Sequence, residues 1–272
     1  MVTTQAVREL MPAQLNDVFE GDQIVLLGQY QSSDPLNFRI TGNYLGQPRT
    51  FDLKFDLNGA TTRNAFVPRL WASRKIARLI EEITKAGADG NRQDPANDPR
   101  MKELVGEIVR LSTEYGILTE YTSFLATEGT DLTQTLAVNG RAVQELTMNA
   151  QQNRTGIGGV SQAMNNSVQM RQATSNRSNN YLNQNMQRVE VTNVQQITDR
   201  TFFRRNNRWV DASALSREKD PKPDRTIEFG TDEFYQLVDR LVSEGRQGIL
   251  ALSGEMLLLI DGKTVLVKAP AK

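Results

Sequence analysis

The 272-residue chain contains no cysteine and no histidine. Their absence excludes disulfides, thiolate nucleophiles, Cys/His zinc sites, Ser-His-Asp catalysis and proton transfer through an imidazole. An enzyme built from these residues would depend on carboxylates, lysine or hydroxyl groups, and no spacing of those groups points to a catalytic site. The sequence therefore predicts a non-enzymatic protein with no catalytic residue, no metal, no cofactor and no small-molecule substrate.

Long apolar runs and an excess of one charge are also missing. No stretch approaches the roughly 20 apolar residues of a membrane-spanning helix, and charges interrupt the N-terminal residues where a signal peptide has its apolar core. Lys and Arg number 32, as do Asp and Glu, so the formal net charge is 0. This balance gives no overall attraction to nucleic acid or to an anionic membrane, although a local patch is compatible with it. We expect a soluble chain that carries no targeting signal of its own.

The first of three predicted segments covers residues 15–128. Residues 18–57 carry strand signals, and the alternation of apolar and charged residues over 51–57 predicts a strand with one buried face. Two amphipathic helices are expected to pack on these strands, the second with Asp98 as its N-cap. The apolar positions of the two helices are Ala72, Ile76, Leu79, Ile80 and Ile83, then Met101, Leu104, Val105, Ile108 and Leu111.

The second predicted segment, residues 129–190, is polar and of low complexity. Between 151 and 190, 15 of the 40 residues are Asn or Gln. Such a stretch buries too little apolar surface to offset about 1–2 kcal/mol of backbone entropy per residue. We predict a lone helix over 132–152 and a mobile linker over 153–190, in which sparse apolar residues could support a partial helix.

The third predicted segment, residues 191–269, is a small unit of hairpins and one helix. TFFRRNNRWVD predicts a hairpin with Asn206-Asn207 at its turn, which sets Arg204 opposite Trp209. Asp261-Gly262 lies between two apolar runs and predicts a second hairpin. The predicted fold class is thus α+β: antiparallel strands packed by two helices, a polar Asn/Gln-rich linker, and a small C-terminal β-hairpin/helix unit.

Basic and aromatic residues alternate along the first of these hairpins. The candidate interaction residues are Arg204, Arg205, Arg208 and Trp209. Such interleaving suits single-stranded nucleic acid, because bases stack on aromatic rings while arginines contact phosphates. A hairpin with one packed face gives the same pattern. Nucleic acid is therefore the less favoured partner.

Several stretches resemble a known family. FVPRLWASRKIARLIEEI (66–83) and ELVGEIVRLSTEYGILTEYTSFLAT (103–127) resemble the region after the von Willebrand A domain in VIT-plus-VWA proteins. These proteins include the inter-alpha-trypsin inhibitor heavy chains and many bacterial relatives. LNDVFEGDQIVLLGQY is similar to the strand that follows the A domain, and DRTFFRRNNRWVDAS with LLLIDGKTVLV is similar to the tail of bacterial members.

The resemblance implies architecture more than activity, since the VIT and A domains are not in this chain. The A domain's metal site requires a DxSxS run, and the run that begins at Asp211 lacks the second serine. In the relatives, segments from before the A domain complete the sheet formed by the strands over 21–57. Without those segments, this sheet is expected to expose an open edge and an apolar face.

The favoured function is therefore a non-enzymatic accessory or protein-interaction module of the VIT/VWA type, in assembly or adhesion at the cell envelope. Its expected partner is a protein: the missing VIT/A-domain segments, with this chain a fragment of a longer reading frame, or another chain. Full-length relatives look exported or envelope-associated. The alternative is single-stranded nucleic-acid binding through the hairpin 200–209.

Overall fold

The structure, a computed structural model, describes residues 2–3, 7–12, 15, 17–31, 33–61, 64–88, 98–152 and 155–270. Helices and strands occur together in an α+β fold. Strands β1 to β13 are Val2–Thr3, Val7–Met11, Leu27–Tyr30, Leu36–Tyr44, Gln47–Phe55, Tyr181–Leu182, Arg188–Val189, Val194–Ile197, Arg200–Arg205, Arg208–Asp211, Arg225–Ile227, Met256–Ile260 and Lys263–Val267. Helices α1 to α6 are Phe66–Ala88, Pro99–Tyr115, Thr135–Leu146, Gly156–Met170, Ala212–Leu215 and Asp232–Ser243. Within the described ranges, no helix combines the length and apolarity needed to cross a bilayer.

The largest sheet has the strand order β11-β13-β12-β10-β9-β8 and lies in the C-terminal part of the chain. Both predicted hairpins are confirmed: β9 pairs with β10, and β12 pairs with β13. Asn206, Asn207, Asp261 and Gly262 all have positive φ, as two-residue hairpin turns require. The predicted register is also confirmed, because Arg204 lies opposite Trp209.

The two predicted amphipathic helices, α1 and α2, pack on each other. All five stripe residues of α1 are buried, as are Met101, Val105, Ile108 and Leu111 of α2, while Leu104 is partly buried. Each buried Leu, Ile, Val or Met side chain of this set contributes up to about 1.5–3 kcal/mol by leaving water. Asp98 caps α2 as predicted, accepting a hydrogen bond from Arg100 N at 2.9 Å. One buried apolar cluster runs from Met11 to Leu266 and includes residues of all three predicted segments.

The hairpin of β4 and β5 differs from the prediction that residues 51–57 have a buried face. Phe51, Leu53 and Phe55 are 60%, 42% and 51% exposed. Helix α1 packs on the separate strand pair β2 and β3, and among the described residues β4 is joined on its other side only by the two residues of β1. The alternation therefore predicts the strand correctly, but the described part of the chain leaves its apolar face uncovered.

Residues 155–190 are folded, which differs from the mobile linker predicted over 153–190; residues 153–154 lie outside the described residues. Helix α3 packs on α2, and α4 packs on α1. Amide side chains supply much of the order that apolar burial would otherwise provide. The Asn165 side chain bonds both the N–H and the C=O of Leu182, each at 2.8 Å, and Asn176 bonds Asn180 in the same way.

Replacing Asn165 with alanine is expected to lower the free energy of unfolding by about 1–3 kcal/mol, because the backbone of Leu182 and a carboxylate oxygen of Glu120 lose partners. Urea unfolding followed by tryptophan fluorescence measures the change. Asn185→Ala is the matched control, since its exposed side chain takes no part in these bonds. Equal stability of the two variants would show that the amide contacts do not hold this segment.

Candidate functional site

The predicted interaction hairpin uses most of its side chains for packing. Trp209 is buried, and its Nε1 donates to the carbonyl oxygen of Ser253 at 3.2 Å. Phe202 and Phe203 are fully buried. Arg204 is exposed, and its guanidinium lies over the Trp209 ring, 5.7 Å from the centroid. Since stacking of bases needs open aromatic faces, this hairpin presents no stacking platform.

The other two candidate arginines, Arg205 and Arg208, bond backbone carbonyls. Arg205 is buried and donates to Leu125 O at 2.8 Å and Ala126 O at 3.1 Å. Burial lowers the pKa of this guanidinium. Arg208 is half-buried and donates to Pro221 O at 3.2 Å. The four candidate residues are thus neighbours on one hairpin, but only Arg204 is exposed.

Asp211 begins the run that resembles a metal-site motif in sequence, and the structure uses its carboxylate as a helix cap. Oδ1 accepts from Ser213 N at 2.9 Å, and Oδ2 accepts from Arg200 Nη1 at 2.9 Å. Both oxygens therefore face donors. Across the ranges that the structure describes, no group of three acidic residues could hold a metal ion.

The apolar face of the β4–β5 hairpin is a first candidate site. The residues on this face are Leu36, Phe38, Ile40, Phe51, Leu53 and Phe55, as the register of the two strands shows. Phe38 and Phe55 meet edge to face, with ring centroids 5.8 Å apart. The opposite face is polar and carries the Arg39–Asp52 ion pair at 2.7 Å. In the described part of the chain β5 is an edge strand, so its outer backbone groups face no further strand.

A second candidate site is a cavity of about 380 Å³ between α1, α4, residues 117–120 and residues 172–182. Its size falls in the range of small-molecule pockets. Three charged residues line it: Arg69, Glu120 and Arg188. Met164 and Val168 of α4 contribute apolar surface.

Arg69 is a buried charge whose bonds all go to neutral oxygens. Its guanidinium donates to the carbonyls of Tyr115, Gly116 and Asn176 and to Asn179 Oδ1. Within the described residues it has no ion-pair partner. Burial, and secondarily the nearby charge of Arg177, lowers the pKa of Arg69 to about 10. Because buried charges are ordinarily paired, the region beside Arg69 carries uncompensated positive charge.

Asn179 is buried beside Arg69 and lines the same cavity. Its Oδ1 accepts from Arg69 Nη2 and from Leu118 N, both at 3.0 Å. Two donors on one atom establish the orientation of the amide, so Nδ2 is the nitrogen, and it has no hydrogen-bond partner. A buried polar group left in this state costs about 1–3 kcal/mol.

Glu120 is the acidic residue of the cavity. Its Oε1 accepts a hydrogen bond from Asn165 Nδ2 at 3.0 Å. Burial disfavours the ionised form and raises the pKa of Glu120 to about 7, although the bond from Asn165 acts in the opposite direction. The carboxyl group is therefore divided between its protonated and ionised forms near neutral pH.

Sequence reasoning missed the cavity residues, because they come from four separate parts of the chain. Glu120 lies in a stretch rich in Tyr, Phe and Leu, and Asn165 and Asn179 lie in the segment predicted to be a mobile linker. The one available signal is an arginine, Arg69, near the start of an otherwise apolar helix stripe.

Comparison with known proteins adds no identification: no protein-family model, no curated protein and no solved structure matches this chain. The resemblance to the region after the A domain in VIT-plus-VWA proteins therefore stays a prediction. The same holds for the division into segments 15–128, 129–190 and 191–269.

Proposed function

We propose that this chain is a non-enzymatic protein-interaction module that docks a partner polypeptide on the β4–β5 hairpin. The observation that supports this function best is the exposure of Phe51, Leu53 and Phe55 along one face of an edge strand. The largest exposed apolar patch of a soluble protein is often a functional surface, and an open edge is a template for an added strand.

The size of the face favours a partner that contributes a strand over a second copy that packs face to face. Strands β4 and β5 are each 9 residues long. A face of this length and of two to three strands measures about 30 Å by about 10–14 Å, or about 300–400 Å². A stable interface buries about 800 Å² on each partner. Face-to-face packing of two copies would therefore bury less area than a stable dimer needs.

An extended segment with alternating apolar residues would contact both the open edge of β5 and the exposed apolar face of the hairpin. Its backbone pairs with the outer edge of β5, and its apolar side chains extend the cover over Phe51 and Leu53. This partner also agrees with the expected role of the missing VIT/A-domain segments, which complete the sheet in the family that the sequence resembles. We also propose that this docking serves assembly or adhesion at the cell envelope.

Selection from a displayed library of random peptides of about ten residues tests this function. We expect the wild-type chain to enrich alternating apolar sequences, which bind the triple variant Phe51→Thr, Leu53→Thr, Phe55→Thr at least about tenfold more weakly. Threonine retains strand propensity while it removes the apolar face. The control is Thr50→Ser with Lys54→Thr, on the polar face of the same strand.

Two outcomes oppose the proposal. Peptides without alternation, or with equal affinity for the triple variant, would place the binding elsewhere. A concentration-dependent dimer in sedimentation that the triple variant abolishes would instead assign the face to a second copy of this chain.

The nucleic-acid alternative gains no support from the hairpin 200–209, whose aromatic rings are buried.

A further inference from the structure

The cavity beside Arg69 has the construction of a ligand site and is separate from the β4–β5 hairpin. Its walls come from α1, α4, residues 117–120 and residues 172–182, which are held together by the bonds of Arg69 and Asn165 described above. Two buried groups already occupy its floor with defined orientations, Arg69 and Asn179. A cavity whose polar groups are already oriented is suited to bind a ligand without reorganisation.

The charge of the lining favours an anion. Two arginines and one glutamate line the cavity, and the glutamate is partly protonated near neutral pH. Arg69 has no ion-pair partner in the described chain, and Arg177 adds a further positive charge nearby. Arg188 is exposed and uses Nε to bond Asn180 Oδ1 at 3.2 Å. Its terminal guanidinium nitrogens are the groups that could pair with an incoming carboxylate.

The remaining lining favours a ligand that is also apolar. Met164 and Val168 belong to an exposed apolar stripe on α4 that also includes Ile157 and Val160. Only the first two of these residues line the cavity. Helix α4 carries no charged residue, so this side of the cavity offers no partner for a second ionic group.

We propose that the cavity binds a small amphipathic carboxylate, whose apolar body packs on Met164 and Val168 and whose anionic head pairs with Arg188. Asn179 lines the same cavity, and its Nδ2 has no hydrogen-bond partner among the described residues. The ligand is bound and not transformed, since the lining includes no nucleophile with an activating base.

Decanoate, used below the concentration at which it forms micelles, is the probe, and titration calorimetry on the full chain is the measurement. We expect one molecule to bind per chain. Decanol and decylamine, which have the same alkyl chain and a neutral or cationic head, are expected to bind at least about tenfold more weakly, because a charge-assisted bond is lost. In the ¹⁵N spectrum, decanoate should shift the side-chain amide signal of Asn179.

Matched variants locate the site. Val168 and Val160 are 69% and 53% exposed on the same helix, but only Val168 lines the cavity. Val168→Asn and Arg188→Gln should each weaken decanoate binding by about tenfold, whereas Val160→Asn should leave it unchanged. All three positions are solvent-accessible, so the fold tolerates the substitutions. Equal effects of Val160→Asn and Val168→Asn, tighter binding of decylamine, or no saturable binding of decanoate would each overturn the proposal.

Discussion

Replacing Arg69 with methionine is expected to lower the free energy of unfolding by about 3–5 kcal/mol, a large part of the stability of a typical domain, because several hydrogen bonds to a charged group are lost. The guanidinium bonds the carbonyls of Tyr115, Gly116 and Asn176 and the side chain of Asn179. Methionine fills a similar volume but donates no hydrogen bond, so four acceptors in buried or partly buried bonds lose this partner at once. Urea unfolding monitored by tryptophan fluorescence gives the difference.

Arg78→Met on the same helix is the control for this prediction. Arg78 is more exposed and pairs with Glu82 one turn later, at 3.3 Å. Such a surface pair contributes about 0.5 kcal/mol or less. Arg69→Lys should recover part of the lost stability, because an ammonium reaches some acceptors but cannot reproduce the planar fork. A difference below about 1 kcal/mol between Arg69→Met and Arg78→Met would contradict the role given to the buried guanidinium.

Local patterns predicted the elements of this fold well. The stripes of α1 and α2, the cap at Asp98 and the turns at Asn206-Asn207 and Asp261-Gly262 all depend on residues within a few positions of one another. Helical and strand periodicity, caps and turns act over that range, so a single sequence contains the whole signal. The α+β class follows from these elements.

The contacts of the cavity depend on long sequence separations. Arg69 bonds residues that lie between 46 and 110 positions away. An Asn-rich segment also has two physical outcomes: it stays solvated, or its amides bond backbone groups as Asn165 does with Leu182. Composition cannot distinguish these outcomes, because the same donors and acceptors serve water and backbone equally well. For this reason the folded residues 155–190 differ from the mobile linker predicted over 153–190.

The basic hairpin shows the same ambiguity in a candidate site. Alternating arginines and aromatics predict either a nucleic-acid surface or a strand that buries one face. Arg205 is an example of an arginine on a buried face. Its side chain reaches the carbonyls of Leu125 and Ala126, 80 and 79 positions away. Buried arginines that bond carbonyls recur at Arg69, Arg74 and Arg205. In this protein arginine joins distant loops to the helices and the sheet.

Glu120 is expected to make stability fall as pH rises from about 4.5 to about 7. Its pKa is about 7 in the folded chain against an ordinary value of 4.5, so the folded state binds more protons in this interval. The contribution of this group to stability is therefore greatest below the unfolded pKa and is lost as the carboxyl group ionises, by about 3 kcal/mol in total. The pKa values of Asp52, Asp199, Asp224 and Asp261 are lowered by hydrogen bonds, so these groups act in the opposite direction and at lower pH.

The absence of histidine makes this effect measurable without a competing side chain of that type. Urea unfolding from about pH 4.5 to about pH 8 should show the decline in the wild-type chain and a nearly flat profile for Glu120→Gln. Glutamine retains the oxygen that accepts from Asn165, so the variant removes the ionisation and keeps the contact. Glu103→Gln, on the exposed side of α2, should follow the wild-type profile. A Glu120→Gln profile that declines as steeply as the wild type would assign the proton uptake to another group.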